Sequence, residues 1–310
     1  MESETVLVTG GAGFIGSVLC RALLARGARV VAYDNVSRGR RELLPVHPQC
    51  LLVEGDIRDG ARLRALLREH APRVVCHLAA LHFIPYCNAH PWEAVEVNVN
   101  GTRALLAACR ETRPQRLLFA STAAVYPAEG SPFAEEHPAG PLDVYGSTKL
   151  MGEELSRLFF LETGVPTVIA RFFNAFGPSD TNPHLIPDML EQLQGGADTL
   201  RLGNLEPVRD YVHVEDLVDA VAALATHHGD GCQVVNVGSG EGRSVRDVVS
   251  AFEAACARPL RVVQDSAKVR KVERSALVAD VGKLRRETGW EPRISFAEGI
   301  RRLVAGRGTA

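Results

Sequence analysis

The sequence predicts an α/β fold, a doubly wound parallel sheet followed by a smaller and less regular α/β lobe. Three observations predict it. Through about the first 171 residues, short apolar runs alternate with amphipathic stretches. The apolar runs are nearly continuous, as expected of strands whose two faces are both covered by helices. Beyond that point the rhythm breaks into loops, short strands and helices without a clear linker. Residues 1–171 thus read as one domain and 172–310 as mainly a second lobe, with 205–240 partly returning to the first.

The elements follow in order. Thr5–Thr9 is a strand running into Gly10-Gly11-Ala12-Gly13-Phe14-Ile15-Gly16, then a helix that stops near Gly27. Arg29–Tyr33 and Leu51–Val53 are strands, Leu63–His70 is a helix and Arg73–His77 a fourth strand. One long amphipathic helix is expected over Trp92–Thr112, then strand Arg116–Ser121, a Pro/Gly/Ala-rich loop over Pro127–Pro141, a helix carrying Tyr145, and strand Thr167–Arg171. In the second lobe, helices are expected near Ile186–Gln194, Glu215–Thr226, Ser244–Ala257 and Ser295–Val304. Strands are expected near Arg201-Leu202, Val208–Val214 and Val234–Val237.

Composition narrows the function classes. The 310 residues are 46% hydrophobic and 23% charged, with a net charge of −2. That balance suits a soluble globular protein and gives no reason to expect nucleic acid or a membrane as partner. No apolar run approaches the roughly 18–20 residues that span a bilayer. The N-terminus lacks a signal-peptide pattern. Seven scattered cysteines without a C-x-x-C pair point to reduced thiols in the cytoplasm, and no metal site is expected.

Two motifs carry chemistry. Gly10, Gly13 and Gly16 lie between a strand and a helix, where backbone amides can approach a pyrophosphate at the helix N-terminus. Asp34 closes the second strand, placed to bond ribose hydroxyls and to repel a 2′-phosphate, which favours NAD over NADP. Arg38 and Arg40 nearby pull toward a phosphate. The second motif is Tyr145-x-x-x-Lys149. The two side chains share a helix face, and an ammonium beside a phenol favours phenolate. Met151, Leu155, Leu158 and Phe159 fall on roughly the opposite side.

Together these motifs resemble the extended short-chain dehydrogenase/reductase superfamily, a Rossmann-type fold with a substrate-binding lobe. Asp34-Asn35, Gly55-Asp56-Ile57-Arg58-Asp59, His77-Leu78-Ala79-Ala80, Asn98-Val99-Asn100-Gly101-Thr102, Arg171-Phe172-Phe173-Asn174, Arg209-Asp210-Tyr211-Val212-His213-Val214 and Gly289-Trp290-Glu291-Pro292 run in the order found in its nucleotide-sugar epimerases, those acting on UDP-glucose above all. The resemblance implies NAD held by Gly10, Gly13, Phe14, Ile15, Gly16, Asp34, Asn35, Asp56, Ile57, Leu78, Ala79, Ala80, Asn98, Tyr145, Lys149 and Phe172. It implies a sugar nucleotide, UDP-linked before others, gripped by Asn174, Arg209 and Arg270, with Glu273 near the ribose. Thr181, Asn182, His184 and Leu185 fall where base and sugar are read.

Thr122, Tyr145 and Lys149 then form a catalytic set for C4 epimerisation through a 4-keto intermediate. Sibling dehydratases and decarboxylating enzymes usually carry an acid directly after the Thr or Ser. Here Ala123-Ala124-Val125-Tyr126 follows Thr122, and Glu135, Glu136 and Asp143 stay open as substitutes. Two positions depart from the pattern. His82 stands where a lysine is common, and Leu277 where some members have a gating aromatic, so glucose, N-acetyl and uronate sugars all stay open. A homodimer built on the helices around Trp92–Thr112 and Tyr145–Thr163 is also implied.

Overall fold

The computed structural model describes residues 4–180, 182–227, 229, 231–269 and 274–306. The chain begins β1 (Thr5–Thr9), α1 (Phe14–Ala25), β2 (Arg29–Asp34), β3 (Cys50–Glu54), α2 (Gly60–His70) and β4 (Val74–His77). It continues α3 (Ile84–Ala89), α4 (Pro91–Val95), α5 (Gly101–Thr112), β5 (Arg116–Thr122), α6 (Val144–Thr163), β6 (Thr167–Phe172) and β7 (Asn174–Phe176). Then come α7 (Leu185–Gln192), β8 (Thr199–Leu202), β9 (Val208–His213), α8 (Val214–His227), β10 (Cys232–Val237), β11 (Gly242–Ser244) and α9 (Val245–Cys256). The last elements are β12 (Arg261–Gln264), β13 (Ala276–Leu277), α10 (Gly282–Thr288) and α11 (Phe296–Ala305).

Seven strands form one parallel sheet in the order β10-β6-β5-β4-β1-β2-β3. The order runs outward in both directions from β1 and β4, so the carboxyl ends of these two strands flank a switch point where ligands bind in such sheets. Two apolar layers cover the sheet. One joins α1 and α8 to Val6, Val8, Val30 and Val168, and the other joins α2 and α5 to Leu7, Val31, Val75 and Leu117. Successive residues of each strand thus point into opposite cores, which is why the strands read as continuous apolar runs.

Around the second lobe, β9 is flanked by β11 and β13 and also pairs with β7, while β8 pairs with β12. Phe176, Met189, Leu200, Val248, Phe252 and Ile300 form its core.

Two local features differ from the sequence reading. The helix expected over Trp92–Thr112 is divided: α4 passes into a π-helical turn, Glu96–Asn100, before α5. A π turn inserts one residue, and here the residue aimed inward is Asn98. The second difference is the orientation of α6. Its buried face is Gly146, Thr148, Lys149, Gly152, Glu153, Ser156 and Phe159, whereas Met151 and Leu158 are exposed. The face that carries Lys149 faces the sheet, and small residues there let the helix approach β5 closely.

Candidate active site

β1 delivers the chain into the glycine turn. Gly10 sits at φ +71°, and a Cβ there would stand 2.8 Å from the Ala79 nitrogen. Only a residue without a side chain lets the turn lie against Leu78-Ala79-Ala80 as they leave β4. A Cβ on Gly16 would overlap the Gly10 carbonyl. Gly13 is the N-cap of α1 and brings no capping side chain, so Phe14 and Ile15 open a helix whose positive end carries no side-chain cap. Asp34 stands at the end of β2, where its carboxylate accepts from the Ala12 amide at 3.0 Å and the Val36 amide at 2.8 Å. Burial pushes that carboxyl up, and the two amides oppose the shift.

The neighbouring loop folds back on the turn, its Arg40 amide donating to the Ala12 carbonyl. The Arg38 guanidinium lies 4.6 Å over the Tyr86 ring. Asn35 donates to Asp56 at 3.3 Å, and Arg58 donates to the same carboxylate from its backbone and twice from its guanidinium. The Arg58 bond holds Asp56 well below the usual carboxylate range. Ile57 is buried beside Gly101.

Asn98 acts on the chain. Its Oδ1 accepts from the Leu81 amide at 2.7 Å, and its Nδ2 donates to the Leu81 carbonyl and to the Thr148 hydroxyl, both at 2.9 Å. It thereby ties the loop after β4 to α6. His77, at the end of β4, is bridged to Thr9 and Thr102; burial and then Lys149 push it down to about 3, so it is a neutral strut.

Thr122 ends β5, and Tyr145 and Lys149 lie on the first turns of α6. Asp143 caps that helix by accepting from the Gly146 amide at 2.8 Å. The Thr122 hydroxyl accepts from the Ala124 amide at 3.1 Å and is also hydrogen-bonded to Tyr145. Burial pushes the Tyr145 phenol up, the Thr122 bond lowers it, and Cys87 and Asp143 raise it. Burial therefore dominates this phenol, and Lys149 is not among the groups that shift it. Lys149 is pushed down to about 7 by burial, with Glu153 opposing the shift, and its Nζ stands 4.2 Å over the Phe119 ring. Phe172 lies in register with Thr122 across β5 and β6 and packs into the core.

On the substrate side, the His82 and His184 rings meet edge to face, 5.8 Å apart, and join the loop after β4 to the N-terminus of α7. His82 is exposed, yet its ring is surrounded by chain. It is pushed down to about 4 by desolvation and then by His184. His184 pairs with Asp180 at 3.5 Å, and Asn182 bonds the same carboxylate. Burial raises Asp180, but these bonds outweigh it and hold the group below its ordinary value. Leu185 begins α7 and packs on the second core. Asn174 is exposed on β7, opposite Tyr211 of β9.

Arg209 sits on β9 with one nitrogen donating to the Val208 and Arg274 carbonyls, at 2.8 and 3.0 Å. Leu277, opposite Arg209 in register, is buried with Tyr126, Phe133 and Phe173. Thr181, Arg270 and Glu273 lie outside the described residues.

Three residues that sequence reasoning left without a role complete the site. Glu153 is fully buried and takes two bonds from the Arg171 guanidinium, at 2.9 and 2.8 Å. Arg274 donates to the Ala124 and Tyr126 carbonyls at 2.8 and 2.9 Å and pairs with Asp143 at 3.6 Å. It thus ties the turn after Thr122 to the cap of α6. Glu153 had a visible signal, since Tyr145, Lys149 and Glu153 recur every four residues on one helix face. Arg274 had none, because its partners are about 130 to 150 residues away in the chain.

The residues present fit NAD. A glycine-rich turn meets the N-terminus of a 12-residue helix, and a carboxylate is fixed at the end of the next strand. The model of the NAD dependent epimerase/dehydratase family matches residues 6–238. The chain belongs to this family. One family relative, the UDP-glucose 4-epimerase of Rhizobium meliloti (strain 1021), is 33% identical over 316 residues, covering 96% of this chain and 95% of its own. The crystal structure of Thermus thermophilus UDP-glucose 4-epimerase in complex with NAD superposes with a TM-score of 0.88 at 33% identity, covering 99% of this chain and all of that one. UDP-glucose 4-epimerase from Thermotoga maritima, solved with UDP-glucose, gives 0.91 at 30% identity, covering 98% and 99%.

Proposed function

We propose that the chain is an NAD-dependent epimerase that inverts C4 of a nucleotide-diphosphate sugar, UDP-linked glucose or galactose or an N-acetyl or uronate form, through a transient 4-keto sugar. The observation that carries this reading is the Thr122–Tyr145–Lys149 set, with no acid in the turn that directly follows Thr122. The turn after Thr122 is the buried apolar run Ala123-Ala124-Val125. Two of the acids that stood nearby in the sequence are engaged. Glu135 accepts from the Asn236 amide at 2.8 Å, and Asp143 caps α6 and pairs with Arg274. A dehydration needs a further acid or base to expel water, and a simple inversion does not.

The residues have these roles. Tyr145 takes the proton of the C4 hydroxyl and returns it to the new epimer. Thr122 bonds the same oxygen as it becomes a carbonyl. Lys149 favours the phenolate and holds the nicotinamide ribose. NAD, when bound, supplies the reversible hydride acceptor. The glycine turn, Phe14, Ile15, Asp34, Asn35, Asp56, Ile57 and Leu78–Ala80 hold the rest of the dinucleotide. Asn98 keeps the Leu78–Leu81 loop in place. Residues 1–171, with 205–240 returning, would hold NAD, and 172–310 mainly the sugar nucleotide, through Asn174, Asn182, Leu185 and Arg209, with His82 reaching it from the first domain. The aliphatic Leu277 leaves more room at the sugar than an aromatic would.

Incubating the enzyme with a panel of UDP-sugars and following it by NMR tests the reading. Two C4 epimers at equilibrium, without accumulating NADH, are expected. A product lighter by one water, or NADH formed in step with product, would overturn it.

The same reading includes a homodimer. Trp92, Met151, Leu158 and Leu161 on α4 and α6 are 80%, 49%, 59% and 76% exposed, an apolar face of the kind that a second copy covers. Light scattering should give twice the chain mass, and Leu158→Glu with Leu161→Glu should reduce it to one chain. A wild-type protein that scatters as one chain at working concentration removes the dimer. Among the described residues no helix is long and apolar enough to cross a membrane. With seven cysteines in no paired spacing, the cytoplasm is the proposed location.

A further inference from the structure

The groups behind Lys149 form a buried polar chain that the proton transfer at Tyr145 does not itself use. Glu153 lies one helical turn beyond Lys149 on the face of α6 that meets the sheet, and it is 0% exposed. Three bonds fix its carboxylate. Oε1 accepts from the Ser121 hydroxyl at 2.5 Å and from Arg171 Nε at 2.9 Å, and Oε2 accepts from Arg171 Nη2 at 2.8 Å.

Arg171, on β6, is fixed in turn. It lies 4.8 Å from the Tyr126 ring centroid and donates to the Glu135 carbonyl at 3.2 Å. The Tyr126 hydroxyl donates to Asn236 at 2.7 Å. Ser121 directly precedes Thr122, so the clamp reaches the catalytic strand as well as the catalytic helix.

Such a pair is expensive to bury if packing were its only purpose, because two charges leave water. Its placement gives it a second use. Lys149 is itself buried, and the groups shown to act on it come from several elements. α6 brings Glu153, β5 brings the Phe119 ring, β4 brings the neutral His77, and the loop after β4 brings His82. Of these, Glu153 alone supplies an opposing charge that favours the ammonium. Arg171 neutralises part of that charge and holds the carboxylate in a fixed position.

We propose that Glu153, clamped by Arg171 and Ser121, is a positioning residue that keeps Lys149 in its ammonium form and aimed at the Tyr145 side of the site. The inference rests on the catalytic reading of Tyr145 and Lys149. Without the Glu153 charge, nothing among these groups offsets the burial of Lys149. The ammonium would then be lost at lower pH, and with it the help it gives to phenolate formation and to ribose binding. The sign follows directly. Activity that needs the cation falls as pH rises through the lysine's titration, so a lysine that loses its proton more readily moves the alkaline limb downward.

The test is the pH profile of kcat/KM, from about pH 4.5 to about pH 9, for the full-length enzyme and Glu153→Gln, normalised to folded sites. The alkaline limb of Glu153→Gln should lie about one pH unit or more lower, a loss of about tenfold above it. Glu153→Asp keeps the charge at a greater distance and should lie between the two. A Glu153→Gln profile scaled down without moving would show a merely structural role and overturn the proposal. If the Gln variant does not fold, the Asp variant decides alone, since an unmoved limb again overturns it. Lys149→Met separates the two readings. Turnover retained by Lys149→Met defeats the catalytic assignment. A dead Lys149→Met with an unmoved Glu153 series defeats only the role of Glu153.

Discussion

Tyr145→Phe is expected to lower kcat by about 10²–10⁴-fold, the range that a lost general acid–base group removes. The expectation comes from the surroundings of the phenol. It is hydrogen-bonded to Thr122, it stands on a helix face that also presents Lys149, and the turn after Thr122 offers only Ala123, Ala124 and Val125. The nearest carboxylate, Asp143, is engaged by the Gly146 amide and Arg274. The substitution removes one hydroxyl and leaves the ring, so folding and NAD binding should change little. Thermal unfolding and NAD titration beside the rate separate a chemical loss from a structural one. A variant that keeps most of its turnover while binding NAD normally would remove Tyr145 from the mechanism.

Gly16→Ala should be the most damaging small change at the cofactor end. The added methyl would overlap the Gly10 carbonyl, which is backbone and cannot rotate away. Gly10 in turn is pressed against Ala79. Relief therefore requires α1 to withdraw from the turn or the turn to leave the loop after β4. We expect a loss of about 3 kcal/mol in stability, in the upper part of the range for single substitutions. NAD affinity should fall with it, because the helix N-terminus and the turn are what the pyrophosphate would meet. Urea unfolding and NAD titration measure the two effects. A variant that unfolds with the wild type and still binds NAD would show that the turn tolerates a side chain.

The parallel sheet was legible because its strands are buried on both faces. Val30-Val31-Ala32-Tyr33 and Thr167–Arg171 read as apolar runs whatever their neighbours. The short strands β7, β11 and β13 were not legible. Two or three residues carry no period, and their pairing is decided by β9, far away in the chain. The π turn was hidden for a related reason, since one extra residue leaves an amphipathic pattern almost intact. What it achieves, aiming Asn98 at Leu81 and Thr148, is visible only in three dimensions. Helix α6 misled by composition. Met151 and Leu158 look like core, yet the buried stripe is the small and polar one.

The site divides in the same way. Gly10, Gly13, Gly16, Asp34, Tyr145 and Lys149 belong to short motifs whose spacing states their geometry. Glu153 and Arg171 form a pair across two elements, and Arg274 reaches the cap of α6 from more than a hundred residues away, so neither contact can be read from local spacing.

The central claim is that one C4 centre is oxidised and reduced within one site. The UDP-sugar that the panel identifies as substrate, carrying deuterium at C4, tests it most directly, with the products followed by NMR and mass. The account predicts its C4 epimer with the deuterium still at C4, no change in total mass and no net NADH. Deuterium replaced by solvent hydrogen at C4, or a product lighter by one water, would contradict it.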